Sequence, residues 1–472
     1  MHRRNKARRP VLTLWPLAVL VLTPALVARA DLASRIDRII RSCDGADLSV
    51  HLISPRGGRT IYGYQATRPL IPASNMKLVT TAAAIRFLGP GFTYKTRVYL
   101  CGQDLVIVGS GDPLLGDRQT DRAYGRRPDW IPAEIAERLS KRKIAQVGDI
   151  ILDSTVFDDQ RVHPNWPTDQ LNRWYASEVC GINYNCNCVA ITVIAQGGQV
   201  RVAMDPQNTY LHLINRVQQA VSGPTGVGAY RHPDLPNTLI LKGTCRGQEG
   251  PFDVAIERPA IFFGVLVAEA LVRAGIQVCG RLIEGPVQSD LPMDLVWEHQ
   301  TPLKDCLARA NKDSLGLAAE ALFKTTAATL DTASPGSWAG GREALTRYLS
   351  SLGLDQGQFR IDDGSGLSRA NRLSAACLTR VLYDMYSDPS WSLFEGSLAV
   401  AGVDGTLERY FDQALFKGKI IGKTGYLVGV RSLSGVCKTA RGDVIFSIIA
   451  NGPNGNTKKA IADIVKAILE EA

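Results

Sequence analysis

The sequence predicts an α/β chain of the α+β kind, in which one sheet domain is assembled from both ends of the chain and split by a large strand-rich insertion. Three observations carry this prediction. Residues 31–88 read helix, strand, strand, helix, and residues 433–469 read strand, strand, helix. Between about 98 and 290, short strands and turn signals dominate. The two terminal portions also carry chemically matched motifs, Ser74-Asn75-Met76-Lys77 and Lys423-Thr424-Gly425, which predicts that they pack together with the middle inserted between them.

The chain opens with Arg3, Arg4, Lys6, Arg8 and Arg9, runs through the apolar residues 11–27 and reaches Ala28-Arg29-Ala30 before Asp31. This pattern is a secretory leader, residues 1–30, with a small-x-small cleavage site near Ala30. An uncleaved membrane anchor is the alternative; Pro16, Pro24 and the shortness of the run argue against a stable span. No cysteine follows the cleavage site, which argues against a lipid anchor. The formal charge of +9 falls to +3 for residues 31–472, because the leader holds six basic residues and no acid. A nearly balanced surface without a basic run beside aromatics argues against a nucleic-acid partner.

Leu32, Ile36, Ile39 and Ile40 recur at helical spacing, then residues 48–54 and 60–64 form two strands around Pro55-Arg56-Gly57-Gly58. The Ser74 helix continues through Val79, Ala82, Ala83, Ile85 and Phe87 and stops at Gly89-Pro90. Strands follow at 105–108, before Gly109-Ser110-Gly111-Asp112-Pro113, and at 148–152, 189–194 and 200–204. A helix over 259–274 and a single strand over 277–283 close the insertion. Strands at 433–437 and 444–451 flank Ala440-Arg441-Gly442-Asp443, and Ile461, Ile464, Val465, Ile468 and Leu469 mark a final amphipathic helix. No internal repeat stands out.

Ten cysteines in 472 residues are too sparse for a disulfide scaffold, although export would allow some bridges. Cys180, Cys186 and Cys188 lack a second cysteine pair or a spaced histidine, so a local disulfide or buried thiols is the reading preferred over a metal site, and no cofactor is expected.

Residues three apart on a helix return almost to one face, so Ser74 and Lys77 become neighbours if a helix starts there. That arrangement suits a serine whose proton is taken by lysine rather than histidine. A second Ser-x-x-Lys, Ser140 to Lys143, lies in a charged helix end with no apolar helix after it. Lys77 must be partly uncharged to serve as base; burial and a positive neighbour, Lys423, are expected to push it down. Lys423 and the Thr424 hydroxyl are read as a clamp for an anionic group, with Gly425 letting a ligand backbone lie against the strand. Ser314, in Asn311-Lys312-Asp313-Ser314, is placed at the start of a helix carrying Leu315, Ala318, Leu322 and Phe323; it reads either as a proton relay or as an ordinary N-cap.

With these motifs the chain resembles the D-alanyl-D-alanine carboxypeptidase/endopeptidase family, the class C low-molecular-mass penicillin-binding proteins. Further matches are Val108-Gly109-Ser110-Gly111-Asp112-Pro113, Trp174-Tyr175, Asn183-Tyr184-Asn185, Asp363-Gly364-Ser365-Gly366-Leu367-Ser368-Arg369 and Ala401-Gly402-Val403-Asp404-Gly405-Thr406-Leu407. The resemblance spans the chain after the leader. It implies a transpeptidase/β-lactamase-like domain, an antiparallel sheet flanked by helices, in parts 31–97 and 291–472, with inserted domains over 98–290 and a smaller one nested at about 191–255. It also implies Ser74 as acylated nucleophile, Lys77 as its base, Ser314 as relay, Lys423 with Thr424 as carboxylate clamp, and the amides of Ser74 and Tyr426 as oxyanion hole. Asp153 would approach the site from the insertion to read the peptide side chain, although an Asp at a strand end also forms turns. Peptidoglycan stem peptides and β-lactams would be the partners, and the periplasm the location.

One departure stands out: where the family has Ser-x-Asn, this chain has Ser314-Leu315-Gly316. Losing such an amide costs about 1–3 kcal/mol, or roughly ten- to a hundredfold in rate. Two other readings therefore stay open. One is a feeble peptidoglycan-binding homologue. The other is a serine β-lactamase, against which the long interval from Lys77 to Ser314 argues.

Overall fold

The computed structural model describes residues 24–43, 45–287, 292–411, 413–452 and 456–472. The expected leader lies outside the described residues except for the backbone of 24–30. There helix already covers residues ahead of the Leu32 start that the sequence suggested, and the described helix is Pro24–Arg41. Among the described residues, no helix is long and apolar enough to cross a membrane.

The main sheet has six antiparallel strands in the order Ala399–Val400, Ile420–Leu427, Val430–Thr439, Gly442–Asn451, Asp47–Ile53, Thr60–Tyr64. Its interior includes a pairing between the two ends of the chain, Asp47 opposite Asn451 and Ile53 opposite Ile445. Both faces are covered, so residues 444–450 are buried without alternation. Val444, Phe446, Ile448 and Ala450 pack with Leu48, Val50 and Leu52 under the terminal helices Pro24–Arg41 and Thr457–Glu471. Ile445 and Ile449 face the other way, into the core shared by helices Met76–Leu88, Gly316–Leu330 and Ala375–Tyr386.

Helix Met76–Leu88 is buried at every position from Met76 to Ile85, as its nearly all-apolar sequence requires. It ends where Gly89 takes φ +82°.

The inserted part is built on a mixed five-stranded sheet, ordered Leu282–Glu284, Ile150–Asp153, Asp104–Val108, Thr93–Cys101, Met293–Pro302. This sheet takes in residues 93–97 and 293–302, outside the 98–290 expected from sequence. Two three-stranded sheets lie beyond it, one of Gly247–Ala255, Cys188–Gln196 and Gln199–Asp205, the other of Gly226–Arg231, Thr238–Cys245 and His212–Gln219. The single strand expected over 277–283 is broken in two: Gln277–Val278 pairs with Gln146–Val147, and Leu282–Glu284 pairs with Ile150–Asp153. Gly280 makes the break, because its Cα sits so close to Asp149 that a Cβ would lie 2.6 Å from the Asp149 nitrogen.

The segment 154–179 leaves the insertion and packs on the main domain. Phe157, Trp166, Ala176 and Val179 belong to the same core as helix Met76–Leu88. All ten cysteines are free thiols, so the local bridge considered for Cys180, Cys186 and Cys188 does not form. The Cys186 thiol donates instead to Asp117 Oδ1 at 3.2 Å.

Phe446 is fully buried on a central strand. Phe446→Ala should therefore lower the unfolding free energy by about 3–5 kcal/mol, read as a shift in denaturant midpoint at unchanged slope.

Candidate active site

The turn that carries Ser74 comes first. Ala73–Asn75 forms a single 3-10 turn ahead of helix Met76–Leu88, with Ala73 in the left-handed region at φ +48°. Its tightness is set from two sides. A Cβ on Gly366 would lie 1.9 Å from the Ala73 carbonyl oxygen. One on Gly425 would lie 2.2 Å from Ser432 Oγ, 2.7 Å from the Pro72 carbonyl oxygen and 3.1 Å from the Ser74 nitrogen. Gly425 thus makes room for the Ser74 turn itself, whereas the sequence suggested room for a ligand backbone. Ser432 Oγ completes the contact by donating to the Pro72 carbonyl at 2.6 Å.

Lys77 lies one turn along and is fully buried. Its Nζ donates to Ser74 Oγ at 3.3 Å and to the Ser365 carbonyl at 2.7 Å. Burial pushes the amine down to about 8, while the carboxylates of Glu320 and Asp363 pull the other way. The positive neighbour expected to assist is not what lowers it. Lys423 is the one that feels Lys77: burial first and the Lys77 charge second hold it well below the usual lysine range.

The Ser365 carbonyl is held in place by two buried acids. Glu320 accepts from the amides of Gly364 at 3.0 Å and Ser365 at 2.7 Å and from Trp338 Nε1 at 2.8 Å. Asp363 accepts from Trp166 Nε1, the amides of Gly366 and Ser368, and Asn371 Nδ2, all within 2.8 Å. Burial first and Asp363 second raise the Glu320 carboxyl to about 7. Sequence reasoning missed Glu320. An acid in the middle of the apolar run Leu315 to Phe323 was the visible signal, since buried carboxylates are rare unless partnered.

Ser314 is not a helix N-cap. It sits at φ +61° between helices Leu303–Asn311 and Gly316–Leu330, the second of which is capped by Leu315. Such a conformation costs a non-glycine residue of order 1–3 kcal/mol and needs support. Arg309 supplies part of it, pairing with Asp313 at 2.7 Å and with Asp117 at 2.9 Å; Lys312 pairs with Asp404, and the Thr406 amide donates to the Lys312 carbonyl at 2.9 Å. Cys186, bonded to Asp117, is the outer end of this chain of contacts.

These parts enclose a cleft of about 460 Å³ lined by Ser74, Lys77, Ser314, Thr424 and Tyr426, with Gln170, Trp174 and Tyr175 from the segment 154–179. Lys423 is buried at its edge, donating to the Thr424 carbonyl at 2.9 Å, and Thr424 Oγ1 donates to Thr406 Oγ1 at 2.8 Å. Tyr426 is exposed, its ring under the Arg431 guanidinium at 4.8 Å. Asp153 stays outside this cleft. Its carboxylate accepts from the Thr155 amide at 3.1 Å and hydroxyl at 2.5 Å, closing a turn at the strand end.

Gly316 does more than lack an amide. A Cβ there would lie 2.8 Å from the Tyr175 carbonyl oxygen, so main chain from the inserted segment occupies the space a side chain would need.

The sheet with its helices and this cleft has the transpeptidase-like fold of a penicillin-binding protein. It matches penicillin-binding protein 4 from Haemophilus influenzae with a TM-score of 0.78 at 22% identity, covering 92% of this chain and 98% of that one. The family model described as D-Ala-D-Ala carboxypeptidase 3 (S13) matches residues 30–472, and the chain belongs to that family. Relatives include the D-alanyl-D-alanine carboxypeptidase of Actinomadura sp., 29% identical over 99% of this chain and 90% of its own length. Another is carboxypeptidase DacB of Mycolicibacterium smegmatis, 32% identical over 93% of this chain and 84% of its own.

Two substitutions check the packing. Gly425→Ala should displace the turn that carries Ser74 and lower thermal stability by about 1–3 kcal/mol, read in a thermal melt. Gly316→Asn should destabilise the fold by about 1–3 kcal/mol in a thermal melt, because backbone blocks the new side chain.

Proposed function

We propose that the protein is a serine-type D-Ala-D-Ala carboxypeptidase/endopeptidase that acts on peptidoglycan stem peptides through an acyl-enzyme on Ser74 and is inhibited by β-lactams. The observation that carries this is the buried Lys77 amine 3.3 Å from the Ser74 hydroxyl inside the cleft. Lys77, in its neutral form, takes the Ser74 proton as Oγ attacks the carbonyl carbon of the D-Ala-D-Ala bond. The amides of Ser74 and Tyr426 stabilise the oxyanion. The proton then passes by way of Ser314 to the departing D-alanine nitrogen, leaving an ester on Ser74 that water hydrolyses, again with Lys77 as base.

Lys423 and Thr424 hold the terminal carboxylate. A carboxylate brought beside Lys423 favours its charged form, against the burial that holds it well below the usual lysine range. The leader at residues 1–30 is the basis for assigning export to the periplasm, with removal near Ala30.

The direct test is incubation with labelled penicillin followed by peptide mapping. The label should sit on Ser74 and be lost in Ser74→Ala; no adduct on folded protein would overturn the reading. Release of D-alanine from defined muropeptides separates this enzyme from a peptidoglycan-binding homologue without turnover, and rapid penicillin hydrolysis without a lasting adduct would instead indicate a β-lactamase.

The Lys77 value sets the pH dependence. With a pKa of about 8, the neutral base falls tenfold per pH unit below that point. The acylation rate of Ser74 should therefore rise about tenfold per unit up to about pH 8 and level off above it, measured with a chromogenic β-lactam. A profile flat from pH 6 to 8 would contradict the assignment of Lys77 as base.

A further inference from the structure

We propose that Gln170 supplies the carboxamide that Gly316 lacks and binds the substrate backbone from the segment packed against Gly316. The assignment rests on the serine acyl-enzyme reading. It starts from the 2.8 Å approach that a Cβ on Gly316 would make to the Tyr175 carbonyl oxygen. The short turn Trp174–Ala176 has taken the place of the missing side chain, and a turn that enters a catalytic cleft brings its own polar groups with it.

The polar group it engages is an amide on the preceding turn, Thr168–Gln170. The Tyr175 hydroxyl donates to Gln170 Oε1 at 3.0 Å, and both residues line the cleft with Ser74 and Lys77. With Oε1 engaged, the two Nε2 hydrogens are left as donors, and among the described residues they meet no acceptor.

The backbone beneath is fixed. Gln170 closes the turn Thr168–Gln170 through its amide to the Pro167 carbonyl at 3.0 Å, and its own carbonyl accepts from the Arg173 amide at 2.9 Å. Trp166 and Ala176, on either side, are anchored in the main core. An amide oriented by a tyrosine on an anchored turn is the arrangement needed to hold a peptide carbonyl at a set distance from a nucleophile.

The group it would bind is the carbonyl of the amide preceding the attacked residue. In a penicillin this is the acylamino side chain. Benzylpenicillin carries that carbonyl; 6-aminopenicillanic acid keeps the ring and carboxylate but has a bare amine.

The experiment compares Ser74 acylation by these two reagents in the full chain. Gln170→Ala and Gln170→Glu should each slow acylation by benzylpenicillin roughly ten- to a hundredfold while 6-aminopenicillanic acid reacts as with the unsubstituted protein. Gln170→Asn should recover part of the loss, and Tyr175→Phe, which frees the amide to rotate, should show a smaller loss with the same preference. Equal slowing with both reagents, or none with either, overturns the assignment while leaving the acyl-enzyme reading standing. An unsubstituted protein that takes up neither reagent removes both.

Discussion

A primary amine kept away from water beside a hydroxyl is the constraint on which the rest of the site depends. Burial alone would drive Lys77 far from protonation, and free carboxylates alone would lock it charged. The balance is reached because Glu320 and Asp363 act at one remove. Their oxygens are spent on the amides and side chains of residues 363–371, and the loop so tied presents the Ser365 carbonyl to the amine. The acids thereby fix the geometry of the Lys77 amine through hydrogen bonds and bias its charge through their field. Trp166 and Trp338 close the network by donating to these acids.

The other two walls of the cleft are tied to this centre by independent contacts. On the sheet side, Thr424 meets Thr406, and the loop carrying Thr406 is joined through Asp404 and the Lys312 carbonyl to the turn bearing Ser314. On the side of the insertion, the segment with Gln170 and Tyr175 is rooted in the main core, so it forms a fixed wall. Preorganisation of this kind holds the groups around Ser74 in one geometry, which the proposed acyl transfer would need.

Much of this was legible in the sequence where a local rule decides the outcome. Strands 60–64 and 444–451, the stop at Gly89 and the helix from Pro259 follow from pattern and punctuation, and the Ser74–Lys77 contact follows from helical spacing. What was not legible depends on long-range approach. Gly425 and Gly316 each look like permissive positions, and only the Pro72, Ser74 and Tyr175 backbones facing them show that both are demanded by packing. Ser314 follows serine's N-cap preference in sequence, yet tertiary ion pairs hold it in a left-handed turn. Asp153 uses its Oδ1 to close the turn at its strand end with Thr155, a local contact that its place in the sequence already allowed.

The pairing of strand Asp47–Ile53 with Gly442–Asn451 has a consequence for biogenesis. A chain synthesised from its amino end exposes Leu48, Val50 and Leu52 long before their partner strand exists, while the sheets between residues 188 and 255 can close among themselves. Contact order is therefore high in the sheet beside Ser74 and low in the sheets between residues 188 and 255. Nascent protein would pass through a stage with a finished middle and an unpaired, apolar strand edge, the species most in need of a chaperone.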